Sequence, residues 1–328
     1  MIRYFFSRLL ASIPLVLGVL TLTFALLESV PGRPSDLLLG DRPVPPEVRA
    51  RIEAAYGLNG PPAVRYVRWL SAVALRGELG WSVSRSQPVT KVLARALPAT
   101  LVLASVALLL HVAAGLFVGV VSAWKRGTWI DRALSMGTLT LYSMPTFWLG
   151  LLSILAFSSA LRAFPPSSMH SVGAHEWPLL RRAADLGWHL VLPAAVLGLA
   201  SAAYLARFLR AGVLQALGEQ FARAAKARGA GEGRVLGHAL RNGLLPAISV
   251  MGLSVPILVS GSLVTEVVFA WPGMGRVAYE AILAEDVPLV LACTLLSSLL
   301  VIFGNLAADV LLSVADPRIR LLSNEASR

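Results

Sequence analysis

Residues 9–27 carry no charged side chain, and five further apolar runs of comparable length follow, at about 99–124, 133–161, 189–206, 244–269 and 288–314. A bilayer core about 30 Å thick needs about 20 helical residues to cross it. Inside lipid every backbone polar group must be satisfied by the chain itself, which leaves helices or a closed barrel. Barrel strands would show short segments of alternating polarity. These runs are instead continuous and rich in Leu, Ala and Val. The expected fold is therefore all-α and integral to a membrane, with six transmembrane helices. Composition agrees: 56% of residues are hydrophobic and 14% charged, against about 25% charged in a soluble domain. That excludes a soluble enzyme and a disordered chain, and a lone cysteine, Cys293, excludes a disulfide scaffold.

The chain has 29 Lys and Arg against 18 Asp and Glu, a net charge of +11. A nucleic-acid partner does not fit, because the cations lie between the apolar runs rather than on one polar face. Their placement instead sets orientation. Arg3 and Arg8 precede the first run, and Lys125, Arg126 and Arg132 separate the second and third. Arg207, Arg210, Arg223, Lys226, Arg228, Arg234 and Arg241 separate the fourth and fifth, and Arg318, Arg320 and Arg328 follow the sixth. The segment after the fifth run sets Arg276 against Glu280, Glu285 and Asp286. Both termini and both basic loops are expected on the cytoplasmic side. The first run is too long for a signal-peptide core and has no small-residue cleavage site after Leu27, so it reads as a retained helix.

The first external loop, residues 28–98, has turn chemistry at Pro31–Gly32, at Pro43 to Pro46 and at Gly60 to Pro62. Residues 47–56 and 63–75 read as short helices, giving a small external subdomain after helix 1. Pro145, Pro193 and Pro256 are expected to interrupt the third, fourth and fifth spans.

No nucleotide-binding P-loop, no nucleophile elbow and no His-Glu-x-x-His metal pair occurs. The chain is thus expected to be no enzyme, with no catalytic residue, no metal site and no cofactor of its own. His170 and His175 read as solvated loop residues, and Cys293 as a small packing residue. Asn305 and Asp309 fall in the sixth run and His111 within the second. His111 reads as a buried histidine bonded to a neighbouring helix; a proton relay is the alternative.

The longest cytoplasmic segment, residues 207–243, contains the stretch EQFARAAKARGAGEGRVLGHALRNGLLP, which runs from Glu219 to Pro246. Residues 221–228 have helical composition and Gly229 stands where a C-cap glycine would. Gly231 and Gly233 are expected to supply a turn, and residues 234–245 a second helical run.

This segment resembles the cytoplasmic signature of binding-protein-dependent ABC importer permeases: Glu-Ala-Ala, three residues, Gly, and later Leu-Pro. The glycine falls on Gly229, the Leu-Pro on Leu245–Pro246, and the Glu-Ala-Ala on Arg223-Ala224-Ala225. Arg in place of Glu is similar to the peptide branch of the family, in which the stretch looks like Arg-Thr-Ala-Arg-Ala-Lys-Gly. Further resemblance lies in Gln87-Pro88-Val89, Leu97-Pro98-Ala99-Thr100-Leu101, Thr265-Glu266-Val267-Val268-Phe269, Trp271-Pro272-Gly273-Met274-Gly275 and Asp316-Pro317-Arg318. Tyr56-Gly57-Leu58 and Arg65-Tyr66-Val67-Arg68-Trp69-Leu70 resemble the first permease of dipeptide, oligopeptide and nickel systems.

The resemblance implies a type I importer transmembrane domain in a bacterial cytoplasmic (inner) membrane. It divides the chain into an N-terminal transmembrane helix (1–30), an external segment (31–96), a core (97–314) holding the coupling loop, and a cytoplasmic tail (315–328). Arg223, Ala224, Ala225 and Gly229 are the implied ATPase-docking residues. The implied partners are a second related permease, two ABC ATPase subunits that bind ATP and Mg, an external substrate-binding protein, and membrane lipid. The implied cargo is a peptide or a related small solute such as a nickel complex, glutathione or an oligosaccharide. A stand-alone channel or secondary carrier is the alternative, against which the sparse mid-membrane charge argues; a receptor or scaffold would normally bring a soluble signalling domain.

Overall fold

The computed structural model describes residues 2–29, 45–47 and 60–315. The predicted helix at 47–56, apart from residue 47, and the Tyr56-Gly57-Leu58 and Asp316-Pro317-Arg318 stretches lie outside the described residues. The chain forms two compact units. One comprises Met1–Thr100 and Pro272–Ile302, the other Leu101–Trp271 and Phe303–Arg328.

The first unit opens with α1 (Ile2–Glu28), which runs unbroken through Pro14. Helix α2 (Pro62–Arg76) begins with proline in its first turn, where the missing N–H has no intrahelical partner to lose. It stops at Gly77, which takes the left-handed conformation and donates its N–H back to the last turn. It covers the predicted helix at 63–75. Tyr66 of α2 packs on Phe24 with ring centroids 5.0 Å apart, its hydroxyl bonds Thr21 at 2.9 Å, and Arg65 pairs with Glu28. These contacts tie the external helix to the end of α1.

A two-stranded antiparallel hairpin follows, β1 (Trp81–Ser82) with β2 (Gln87–Pro88), Trp81 opposite Pro88. It leads directly into α3 (Val89–Trp124). The unit is completed by α9 (Met274–Leu283) and the start of α10 (Val287–Ala315). Its core joins Val89, Val92 and Leu93 to Met274, Val277, Leu289 and Cys293. Asp286, buried, is the hub of the polar contacts. It accepts from the Ser82 hydroxyl at 2.6 Å, from the Ser84 N–H and hydroxyl at 2.9 and 2.7 Å, and from the Leu289 N–H at 3.3 Å. The last of these caps the first turn of α10.

The second unit is built around α6 (Leu179–Gly218), 40 residues long and mostly buried through its apolar stretch. Close packing on α3 depends on Gly198, where a Cβ would lie 2.6 Å from the Ala107 carbonyl oxygen. Packing on α8 (Glu232–Val268) depends on the Gly212 and Gly243 pair, whose backbones leave no room for a Cβ on either. Small residues at such crossings let helix backbones approach where no aqueous driving force exists between helices.

Among the described residues, four helices are long and apolar enough to cross a membrane alone: α1, α3, α6 and α10. The third apolar run is a sharply bent helix pair, with the form of a broken span or a re-entrant loop. Helix α4 (Trp129–Ser143) ends before Pro145, and α5 (Thr146–Ser153) departs at 108° before passing into a π-helical turn at Ile154–Ala160. The fifth run lies inside α8, continuous over 37 residues.

Two expectations are corrected. Pro193 and Pro256 do not interrupt their helices, since α6 and α8 run through both positions. In a long buried helix, neighbouring groups re-satisfy what one proline frees. The break falls only at Pro145, where Met144 is extended (φ −82°, ψ 134°), the conformation that a following proline favours.

Candidate functional site

The loop expected over residues 207–243 is mostly helix. Helix α6 continues to Gly218 and α8 begins at Glu232, leaving a short segment that holds one two-turn helix, α7 (Gln220–Ala227). Gly233 lies within α8, so the turn between α7 and α8 is made at residues 228–231 instead.

The local sequence accounts for α7. Glu219 is extended and opens the helix. Phe221 and Ala222 face inward: Ala222 is fully buried, and Phe221 packs against a cluster that includes Leu209, Val213 and Ala216 of α6 and Ala239 of α8. The chain then leaves the helix by a left-handed step at Gly229, φ +79°. The Gly229 N–H donates to Lys226 O at 2.9 Å and the Ala230 N–H to Ala225 O at 3.1 Å, closing the last turn. Open space surrounds a Cβ placed there, so the backbone angle alone demands glycine.

The four predicted residues come together on this element with different surroundings. Ala224 is exposed and Ala225 half-buried. Arg223 folds back, donating from Nε and Nη2 to the Gly218 carbonyl at 3.3 and 3.0 Å. It thereby caps the end of α6, where orphan carbonyls and the negative pole of the helix favour a cation. Arg228 makes the same kind of contact, Nε to Ala224 O at 3.2 Å. The outer face of α7 thus offers small side chains, Ala224 and Ala227, rimmed by the exposed cations Arg223, Lys226 and Arg228.

Earlier along α6 lies a polar cluster around one carboxylate. Arg210 of α6 binds Asp131 of α4 through two bonds, Nε to Oδ1 and Nη2 to Oδ2, both at 2.8 Å. Asp131 also accepts from the Ser122 hydroxyl at 2.9 Å and the Gly127 N–H at 3.0 Å. Thr128 caps α4. The cluster joins α3, the loop after it, α4 and α6. Arg210 therefore belongs to a helix and a buried ion pair, not to a free basic loop.

The other polar candidates are placed as follows. His111 is buried beside Ser201 of α6, with no well-formed hydrogen bond on either ring nitrogen. Its polar neighbour is the backbone at Ser201, on the adjacent helix α6, as expected of an interhelical contact. His170 is not freely solvated: it is partly buried, its Nδ1 3.2 Å from Asp185 Oδ2, while Asp185 also accepts from Ser171 N–H and hydroxyl. His175 is exposed. Among the described residues no group of His, Cys, Asp or Glu is arranged to hold a metal ion.

Among the described residues, four long apolar helices and a bent helix pair, with a short basic helix between α6 and α8, define a membrane-embedded class of protein. The sequence comparisons define it further. Residues 115–321 match the family model "binding-protein-dependent transport system inner membrane component", and residues 1–104 match the N-terminal model of the same systems. The chain belongs to this family. It is 36% identical to the oligopeptide transport system permease protein AppB of Bacillus subtilis, over 97% of this chain and 99% of that protein. It is 36% identical to the di/tripeptide transport system permease protein DppB of Pseudomonas aeruginosa, over 98% of this chain and 99% of that protein. Identity to the dipeptide transport system permease protein DppB of Escherichia coli is 35%, over 98% and 99%. The chain is accordingly a multi-pass inner-membrane permease component of an ABC importer, and the ATPase resides in separate subunits.

Proposed function

We propose that this chain is the first permease subunit of a peptide importer and that α7 is its coupling helix. In this reading it pairs with a second, related permease. Two ATPase subunits dock on the cytoplasmic side, and a binding protein delivers solute outside. Peptide cargo is supported by the names of its relatives, transporters of oligopeptides, di/tripeptides and dipeptides. A cytoplasmic position for α7 and both termini is supported by the excess of Lys and Arg around these segments.

The observation that carries the coupling role is the shape of α7. Its outer face is small and cationic, so a partner backbone can approach closely and acidic groups can pair at the rim. Its inner face is wedged through Phe221 and Ala222 into the packing of α6 and α8. A displacement imposed on α7 is passed to both long helices. ATP binding closes the ATPase subunits on each other, carries α7 with them and biases the bundle toward the outward-open packing. Hydrolysis and product release return it inward. The chain is the two-state element, and the ATPases supply the differential contacts that shift it.

Gly229→Val tests this role. A β-branched residue at φ +79° forces the last turn of α7 to rearrange. Peptide uptake by the reconstituted importer is expected to fall at least about tenfold, a loss of about 1.4 kcal/mol of coupling, while membrane insertion and pairing with the second permease persist. Wild-type uptake by this variant would remove the coupling assignment.

A further inference from the structure

Helix α6 is buried around most of its circumference, yet one face stays open. Tyr204, Arg207, Phe208 and Ala211 follow one another at helical spacing along it, all exposed, between buried Ala203, Leu205, Ala206 and Leu209. Across from them stands Tyr142, in the last turn of α4, one residue before Ser143 and the break at Pro145. The Tyr142 and Tyr204 rings lie near-parallel with centroids 6.5 Å apart, and Tyr204 tilts against Phe208 at 4.7 Å. The Arg207 guanidinium sits 6.0 Å from the Tyr142 ring. Together these residues line a cavity of about 360 Å³.

Two features of this cavity suit a water-filled path at the cytoplasmic end of the fourth run, where Arg207 counts among the cations expected on that side. Arg207 has no carboxylate within ion-pair distance among the described residues, in contrast to Arg210 one turn on, which is fully engaged by Asp131. The cavity also abuts the one helix break in the third span, and irregular backbone at membrane depth is tolerated where it lines a cavity.

We propose that this cavity is a solute-contacting subsite on the translocation path. Arg207 receives the free carboxylate of a passing peptide, and the Tyr142, Tyr204 and Phe208 rings form the platform on which its backbone and side chain slide. The chemistry suits transit. An exposed guanidinium with an aromatic neighbour holds a carboxylate by charge and paired N–H donors without the tight desolvation that would trap it. Aromatic faces accept side chains of many shapes. The inference rests on the peptide reading given above, which names the cargo.

Two measurements on the full importer in proteoliposomes test it. In a Cys293→Ser background, Tyr204→Cys is treated with a water-soluble, membrane-impermeant methanethiosulfonate with and without trapped nucleotide. Reaction in at least one state is expected. No reaction in either state, with peptide uptake intact, means that lipid or the second permease covers this face, and it overturns the proposal. The second measurement compares uptake of labelled dialanine with that of its C-terminal amide, using the same binding protein throughout. Arg207→Gln is expected to lower the acid-to-amide ratio about three- to tenfold, with Arg207→Lys keeping part of it. Equal loss of both substrates at an unchanged ratio, or loss of the second permease on purification, gives Arg207 a structural role and overturns the proposal. Thiol reaction at Tyr204→Cys in a wild-type-like importer that carries neither dipeptide would break the peptide reading instead, leaving the aqueous path standing.

Discussion

Asp286 and Asp131 are both buried carboxylates at the start of a helix, and they are satisfied in opposite ways. Asp286 takes only neutral donors: two hydroxyls and an N–H from Ser82 and Ser84, and an N–H from the first turn of α10. Asp131 takes neutral donors from Ser122 and Gly127 but is held chiefly by the two-pronged guanidinium of Arg210. The difference teaches where each unit keeps its charge. The hairpin that wraps Asp286 is a short, self-contained turn, and hydroxyls and amides positioned by that turn suffice. The Asp131 cluster sits where α3, α4 and α6 meet, and the turn between α3 and α4 supplies it one amide, that of Gly127. There a cation reaching from α6 does the work, and it fixes the helix that leads into α7.

The comparison predicts unequal sensitivity. Asp131→Ala leaves Arg210 partly buried without its partner and is expected to lower stability by about 3 kcal/mol, read as a drop in the Tm of the purified importer. Arg210→Met combined with Asp131→Ala should recover a large part of that loss. A double variant as unstable as the sum of the single ones would show that the pairing of charges is not what matters at this site.

A smaller effect is expected at the other carboxylate. Asp286→Ala strands two hydroxyls and two N–H groups, but hydroxyls rotate and nearby water can reach the turn, so about 2 kcal/mol is expected. Asp286→Asn keeps an accepting oxygen and should lose about 1 kcal/mol. If the asparagine variant were as damaging as the alanine one, Asp286 would depend on its charge after all and the contrast would collapse. Smallest of all is Ser84→Ala, about 0.5 kcal/mol, because Ser82 and two N–H groups still serve the same carboxylate. The same thermal measurement ranks all of these.

Much of this architecture is legible in the sequence because its signals are local. The apolar runs announce the spans, Pro61 and Gly77 bracket α2, and the alanine-rich stretch before Gly229 announces α7. What escapes is whatever depends on partners distant in the chain. Asp131 and Arg210 are 79 residues apart, and nothing near either one names the other. Arg210 therefore reads as one more loop cation, although the Thr128-x-x-Asp131 spacing does hint at a capped helix start there. Proline is ambiguous for a related reason. Pro145 and Pro193 present the same local chemistry, yet only the former breaks its helix, because α6 is gripped on several sides by α3, α4 and α8. The fold-back of Arg223 onto Gly218 likewise depends on where α6 ends, which composition alone sets too early.

Helix α8 has a mechanical consequence. It starts three residues past Gly229 and proceeds without a hinge to Val268, a rod roughly 55 Å long at 1.5 Å per residue. A jointed element would absorb torque at its joint. This one is continuous helix throughout, and just past its end the carbonyl of Phe269 accepts from the Ser168 N–H, in the loop that follows α5, at 2.9 Å. Under the coupling role proposed for α7, α8 is the one continuous element that links the docking helix to the loop beyond Pro145.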